Sequence, residues 1–177
     1  QERNTVASML LKMDGGGYEV AGERLTTDHV AITAYATDSV VAPGTFFSVV
    51  ANIDPKPGMH GYAPGAHSYK VVTLRIDPQP FLRIRPVQYP PSEIYEFKPL
   101  NERVEVFQKP FRLAADLSFD ATPEARQALA AREMAEISAH VDYQACDATM
   151  CYLARSVPVT FHVALRQLDT ERALTRP

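Results

Sequence analysis

The stretch from Val157 to Leu165 reads VPVTFHVAL, with an apolar residue at every second position. Successive side chains of a β-strand point to opposite faces, so this alternation predicts a strand with one buried face. Six other segments have a similar character and are separated by turn-forming residues. They are His29–Ala36, Phe46–Ile53, Tyr69–Ile76, Val104–Phe107, Phe111–Phe119 and Ile137–Tyr143. Strands at this spacing predict an all-β fold, an antiparallel β-sandwich of the immunoglobulin type.

One segment departs from the period of two. Thr122 is a good N-cap, Pro123 suits the first helical turn, Glu124 is an early acid, and ARQALAARE follows. We therefore predict one short helix from Pro123 to Glu133, which crosses between strands. The segment from Pro78 to Pro99 holds six prolines and is too long for a tight hairpin. It is either a functional loop or an irregular edge that blocks strand addition.

Composition and charge exclude several classes of function. The chain has 177 residues and a mass of 19.6 kDa, with 46% hydrophobic and 22% charged residues and a net charge of -3. This balance predicts one globular domain without a basic surface for nucleic acid. No apolar run approaches the ~20 residues of a membrane span, so we expect no direct membrane insertion. Residues 1–11 lack the pattern of a signal peptide.

The two cysteines, Cys146 and Cys151, are separated by four residues. Five extended steps would cover ~17 Å, whereas a disulfide needs Cα atoms within about 7 Å, so the segment between them must fold back if they are bonded. Asp147 and Thr149 suit such a turn. Three interpretations stay open from spacing alone: a redox-active dithiol, a structural disulfide, and a metal site using the cysteines with Met150 or a histidine.

Histidines provide weaker candidates. His60 and His67 bracket the turn that begins at Tyr62 and are the pair most able to converge for copper or zinc. His140 and His162 fall within predicted strands and are expected to be structural or solvent-facing. Paired carboxylates such as Asp116 and Asp120 lack a defined pocket, and no nucleotide-binding loop or serine hydrolase motif is present.

A resemblance to a known family bears on the cysteine pair. Tyr143–Cys146 (YQAC), followed by Cys151-Tyr152, resembles the cysteine signature of the N-terminal periplasmic domain of the thiol:disulfide interchange protein DsbD, the "disulfide bond corrector" family. The resemblance extends over about residues 28–168. Further segments similar to the family occur in the same order, namely Gly58–Gly65 (GMHGYAPG), Tyr89-Pro90-Pro91 and Glu105–Phe107 ahead of Pro110-Phe111.

The resemblance implies an immunoglobulin-like sandwich whose Cys146 and Cys151 relay electrons outside the cytoplasm. It implies that the first cysteine engages the disulfide of the partner. A cap loop in the family covers the pair with an aromatic residue, and the matching stretch here is Tyr95–Glu102. Phe97 is the first choice for the cap and Leu100 is the second. The family has five residues between its cysteines, whereas this chain has four.

Aromatic neighbours of the pair are also implied by the resemblance, and Tyr62, Tyr143 and Tyr152 are the candidates. The chain is accordingly divided into an N-terminal segment (1–27) expected to be ordered in part, a DsbD-like domain (28–168) and a C-terminal tail (169–177). No cofactor and no metal are expected.

The resemblance implies that the domain relays electrons to a client disulfide in the periplasm or an equivalent extracytoplasmic compartment. Its implied partners are a thioredoxin-fold oxidoreductase and a membrane electron-donor protein. As an enzyme it would be a thiol:disulfide oxidoreductase of the protein-disulfide reductase type. The alternatives are a secreted immunoglobulin-like binding module with a structural disulfide and a periplasmic metal-handling domain.

Overall fold

A computed structural model describes residues 5–12, 19–98 and 101–166, with side chains described from residue 22 onward. The elements in chain order are β1 (Thr5–Lys12), β2 (Glu19–Thr26), β3 (Val30–Ala36), β4 (Val40–Val41), β5 (Phe46–Pro55), β6 (His60–Tyr62), β7 (Thr73–Ile76), β8 (Leu82–Ile84), β9 (Glu93–Phe97), β10 (Glu102–Phe107), β11 (Phe111–Phe119), α1 (Pro123–Ala130), β12 (Met134–Tyr143), β13 (Ala145–Cys146) and β14 (Arg155–Leu165).

The strands form three sheets, with orders β1-β2-β3-β5-β11-β8, β4-β14-β12-β7 and β13-β6-β10-β9. Neighbouring strands are antiparallel except for β4, which runs parallel to β14. The predicted all-β immunoglobulin-like class with one short helix is confirmed.

The main core lies between the first two sheets. Along β14, Val157, Val159, Phe161 and Val163 are buried and the residues between them are more exposed, as the alternation predicts. Strands β3, β5 and β11 of the first sheet supply the opposite face of the same hydrophobic cluster. Burying these aliphatic side chains from water is the main source of stability for the sandwich.

Helix α1 connects β11 in one sheet to β12 in the other, as predicted. Its N-cap Thr122 accepts a hydrogen bond from the Ala125 amide at 3.2 Å, which satisfies a donor at the helix start. The helix ends at Ala130, three residues before the predicted end. The carbonyl of Glu133 already accepts from the Leu165 amide at 2.9 Å, so the chain there has joined the sheet.

In two regions the structure differs in detail from the sequence prediction. Only Thr73–Ile76 of the predicted strand Tyr69–Ile76 is a regular strand, because the part before it turns toward β6, where the Val72 amide donates to the Tyr62 carbonyl at 2.9 Å. The proline-rich segment contains two strands: β8 pairs with the edge of β11, and β9 forms a hairpin with β10. That hairpin brings the predicted cap stretch to the third sheet.

The N-terminal segment carries two strands, β1 and β2, that pair with each other and extend the first sheet next to β3. Leu25 of β2 is part of the main core. The predicted C-terminal tail, residues 169–177, lies outside the described residues.

Candidate redox site around Cys146 and Cys151

Cys146 and Cys151 are joined by a disulfide across a tight hairpin, and their Cα atoms are 4.0 Å apart. Backbone bonds flank the pair: the Asp147 amide donates to the Met150 carbonyl, and the Tyr152 amide donates to the Ala145 carbonyl, each at 2.9 Å. The segment therefore folds back on itself, as the spacing required.

The turn is organised by the Asp147 carboxylate. Its Oδ1 accepts hydrogen bonds from the Thr149 amide at 2.7 Å and the Met150 amide at 2.8 Å, and its Oδ2 accepts from the Tyr152 hydroxyl at 2.9 Å. The bonds from the Thr149 and Met150 amides hold the pKa of Asp147 well below its usual range. The carboxylate is thus bound to its own turn rather than directed at the sulfurs, and these bonds close the turn in addition to the disulfide.

The two bonded cysteines differ in burial. Cys146 is 1% exposed and belongs to a small hydrophobic cluster, whereas Cys151 is exposed. Strand β13 explains the difference, because it pairs with β6 and places Cys146 opposite His60, while Cys151 lies on the outer arm of the hairpin. Only Cys151 is therefore open to a second protein.

Tyr62 on β6 is the polar group that contacts the disulfide. Its hydroxyl lies 3.3 Å from Cys146 Sγ and 3.5 Å from Cys151 Sγ. Disulfide sulfurs carry no proton, so the tyrosine is the donor. Burial is the main cause that raises the pKa of Tyr62, and the nearby Tyr69 and Glu102 raise it further, to about 12. The hydroxyl therefore stays protonated at neutral pH.

A second tyrosine ring packs against Tyr62. Tyr69 stacks on it with ring centroids 4.2 Å apart, and the Tyr69 hydroxyl donates to Glu102 Oε2 at 2.7 Å. This bond is the main cause of the raised pKa of Tyr69. The hydroxyl of Tyr69 is therefore engaged with a carboxylate, while that of Tyr62 is directed at sulfur.

His60 lies two residues before Tyr62 on β6, and the two rings meet edge to face with centroids 5.7 Å apart. Its ring stacks on Tyr95 at 4.5 Å, and burial lowers its pKa while Asp147 opposes that shift. The imidazole is thus neutral at neutral pH.

Gly61 follows His60 on β6. A Cβ at this position would come within 2.6 Å of Val72 Cγ2, so the close approach of β6 to the segment that contains Val72 requires glycine.

An open cleft of about 180 Å³ exposes this arrangement to solvent. Its walls come from β6, the β9–β10 hairpin and the cysteine hairpin. The lining residues are His60, Tyr62, Tyr69, Tyr95, Phe97, Glu102, Val104, Cys146, Asp147, Thr149, Met150 and Cys151.

The structure brings most of the predicted site residues together. Phe97, the first choice for the cap, lines the cleft and pairs in register with Glu102. Tyr152 flanks the hairpin and its ring packs against His29 at 4.2 Å. Leu100, the second choice for the cap, lies outside the described residues.

Tyr143 lies elsewhere. Its side chain is buried in the main core and its hydroxyl is 2.9 Å from Thr27 Oγ1. It does not line the cleft, because β12 directs it into the sandwich before the chain reaches β13. The resemblance that suggested Tyr143 marks its place in the sequence and does not show the direction of its side chain.

The rings of His60 and His67 both lie near Tyr62, with centroids 5.7 and 5.5 Å from its ring. Within the described part of the chain, no group of three or more His, Cys, Asp or Glu side chains is placed to hold a metal ion.

Glu102 was missed by the sequence analysis as a polar member of the site. The sequence did contain a signal for the strand that Glu102 faces, because Tyr95 and Phe97 are two residues apart and would share one face of that strand. The hairpin register that puts Glu102 opposite Phe97 could not be read from that alternation alone.

The fold and the site define a class: a β-sandwich domain of immunoglobulin type with an accessible disulfide in an aromatic cleft. The sequence profile of one family, described as "Thiol:disulfide interchange protein DsbD, N-terminal", matches residues 31–161. The chain therefore belongs to the DsbD N-terminal domain family, as the cysteine signature indicated.

A solved structure has a similar fold, the N-terminal periplasmic domain of ScsB from Proteus mirabilis. The comparison has a TM-score of 0.51 at 9% sequence identity and covers 92% of this chain. This chain spans 51% of that structure. No curated protein gives a significant sequence match. Within the described residues, no helix has the length and hydropathy needed to cross a bilayer.

Proposed function

We propose that this domain is an extracytoplasmic thiol–disulfide exchange module, which passes electrons from a membrane or thioredoxin-like donor to the disulfide of a client protein. The observation that carries the proposal is the unequal burial of the two bonded cysteines, with Cys151 exposed and Cys146 buried under the Tyr62 hydroxyl. An incoming thiolate is thereby directed to one sulfur. Family membership and the periplasmic origin of the similar ScsB domain support the compartment.

Reduction of the domain would begin at Cys151. A donor thiolate attacks Cys151 Sγ, the bond to Cys146 breaks, and Cys146 leaves as a thiolate that accepts the hydrogen bond of Tyr62. The second thiol of the donor then attacks the donor sulfur of the mixed disulfide and releases Cys151. Two electrons and two protons have moved from the donor dithiol to the domain.

Transfer to the client reverses these roles. The Cys151 thiolate attacks the client disulfide and expels one client thiolate. Cys146 then attacks Cys151 Sγ, which restores the internal bond and releases the second client thiolate. This assignment differs from the expectation that the first cysteine engages the partner, and it rests on the burial of Cys146 behind its own hairpin.

The β9–β10 hairpin is the candidate cap. Phe97 lines the cleft beside the disulfide, and a partner that displaces this hairpin would gain access to Cys151 more fully. We assign the cap to Phe97 and retain Leu100, which lies outside the described residues, as the second choice from the sequence.

A purely structural disulfide is the weaker alternative. The turn is already closed by the hydrogen bonds of Asp147 and by the two backbone bonds that flank the cysteines. The loop between the cysteines is short, so the bond removes little entropy from the unfolded chain.

Trapping tests the proposal. Cys146→Ala leaves Cys151 without its resolving partner, so incubation with periplasmic extract should yield mixed disulfides with thioredoxin-fold proteins. Cys151→Ala is the matched control and should yield far fewer, because its remaining thiol is buried. The parent domain should also equilibrate with a glutathione redox buffer. A bond that resists both mild reductant and a reduced thioredoxin-fold protein would contradict the proposal.

A further inference from the structure

Among the described residues, the outer arm of the cysteine hairpin pairs with no further strand and forms one edge of the third sheet. Cys146 pairs with His60 of β6 on one side and with Cys151 on the other. Residues 150–153, here named the cysteine edge, are therefore the outermost segment on this side of the sheet within the described part of the chain, and β9 forms the opposite edge.

The backbone of Cys151 points away from the sheet. Cys146 and Cys151 are directly opposite each other, and the flanking bonds are those of Asp147 with Met150 and of Tyr152 with Ala145. In an antiparallel ladder this pattern marks a non-hydrogen-bonded pair. The amide and carbonyl of Cys151 consequently face outward, where they are available to another backbone.

The cysteine edge lacks the protection that edges usually carry. Residues 148–154 read ATMCYLA, without a charge or a proline. Met150 is 54% exposed and Leu153 is 88% exposed, on either side of Cys151. Charged residues or prolines normally blunt such edges. On the opposite edge, by contrast, β9 carries Glu93 and Glu96, which form ion pairs with Lys109 and Arg103.

Pairing at this edge would align two sulfurs. Residues of a hydrogen-bonded antiparallel pair have Cα atoms about 5.5 Å apart with side chains on the same face. Disulfides most often join Cα atoms about 5.5–6 Å apart. A cysteine placed opposite Cys151 by two backbone hydrogen bonds therefore meets the geometric requirement for exchange.

We propose that the cysteine edge docks an extended, uncharged segment of the client polypeptide by β-strand addition, with the client cysteine opposite Cys151. The amide of Cys151 donates to the carbonyl of that cysteine, and the carbonyl of Cys151 accepts from its amide. Met150 and Leu153 contact apolar side chains of the segment. This inference rests on the proposed function and specifies how its site selects a substrate.

A peptide with a blocked backbone tests this inference. A short uncharged peptide with cysteine between two valines is prepared as a mixed disulfide with a chromogenic aryl thiol and mixed with the reduced parent domain. Cys151 attacks the peptide sulfur, the aryl thiolate leaves with the electron pair, and Cys146 then releases the peptide thiol. Two domain thiols are oxidised as one aryl disulfide is reduced to two thiols.

Three peptides are compared by the rate of aryl thiolate release. Methylation of the cysteine amide removes one docking bond and obstructs the edge, so the rate should fall about tenfold. Methylation of the following valine amide, which would point away from the domain, is the matched control and should leave the rate near that of the unmodified peptide. A symmetrical aryl disulfide without a peptide reports the intrinsic reactivity of Cys151.

The outcomes separate this inference from the proposed function. Equal rates for the three peptides would overturn strand addition while leaving thiol exchange intact. A loss of rate with the valine-methylated peptide as large as that with the cysteine-methylated one would also overturn the proposed register. Release from the symmetrical aryl disulfide alone, with none from any peptide, would contradict docking of a client segment. The absence of release from every disulfide would contradict the proposed function itself.

Discussion

The main core and the cysteine cleft are built from different kinds of side chain. The main core is mostly aliphatic, with Leu113, Leu117 and Ile137 fully buried between two sheets. The cleft belongs to the third sheet, where Cys146 clusters with Tyr62 and partly buried tyrosines. The aliphatic core excludes water on all sides, whereas the aromatic cluster keeps hydroxyls and one sulfur at a surface.

This difference indicates a separation of stability from chemistry. Burial of apolar area in the sandwich supports the fold, and the third sheet is positioned on it to hold Tyr62 and the disulfide. Substitutions in the main core should therefore change the free energy of unfolding, while substitutions in the cleft should change the reactions or the local structure of the disulfide hairpin. Four variants test that separation, in order of decreasing effect.

Leu113→Ala should have the largest effect. Leu113 is fully buried on β11, so the truncation leaves a cavity and should lower the free energy of unfolding by about 2–5 kcal/mol. Urea denaturation of the oxidised domain measures this change. The matched control is Leu153→Ala, which removes the same atoms from an 88% exposed side chain and should leave the free energy of unfolding nearly unchanged. Similar losses in the two variants would refute the separation.

Tyr62→Phe should act on the chemistry instead. It removes the hydroxyl that lies 3.3 Å from Cys146 Sγ, so the departing thiolate loses a hydrogen bond and reduction should slow by about tenfold. Stopped-flow reduction by dithiothreitol measures the rate. Tyr69→Phe is the control, because that hydroxyl binds Glu102. An unchanged rate in Tyr62→Phe would remove the tyrosine from the mechanism.

Asp147→Ala should loosen the turn. The Thr149 and Met150 amides, which donate hydrogen bonds to the Asp147 carboxylate, should then exchange their hydrogens several-fold faster. The pKa of Asp147 is lowered in the fold by those bonds. The stabilisation that the ionised carboxylate gives to the turn is therefore complete above the ordinary aspartate pKa of 3.8. It is lost as the pH falls through the lower pKa of the folded state. The parent turn should show this acid dependence and the variant should not. Asp147→Asn, which keeps an acceptor, should retain most of the protection at neutral pH.

Phe97→Ala should have the smallest effect. Loss of the ring opens the cleft, so oxidation of the reduced domain by oxidised glutathione should accelerate about two- to threefold, while the reduction potential changes little. Phe46→Ala removes a 57% exposed ring from the first sheet and serves as the control. Equal oxidation rates for Phe97→Ala and the parent would argue against a cap.

Much of the fold was predictable because strands and helix caps leave local signals. Phe111–Phe119 was predicted with the bounds of β11, and Thr122 was recognised as the cap of α1. The early end of the helix was not predictable, because the Glu133 carbonyl is taken by Leu165 of a distant strand. The candidate site divided in the same way: the cysteine pair was a candidate from its spacing, its redox role and Tyr62 came from the resemblance, and Glu102 required the hairpin register.

By itself, the sequence determined the alternation that makes the strands, the helix start at Thr122 and the need for the cysteine segment to turn back. Each of these depends on residues a few positions apart, where backbone geometry and local hydrogen bonds decide the outcome. Only the tertiary structure decided that Cys146 is buried and Cys151 exposed, and that Tyr62 reaches both sulfurs. Those properties depend on pairings between segments tens of residues apart, such as β6 with β13, which local sequence patterns do not encode.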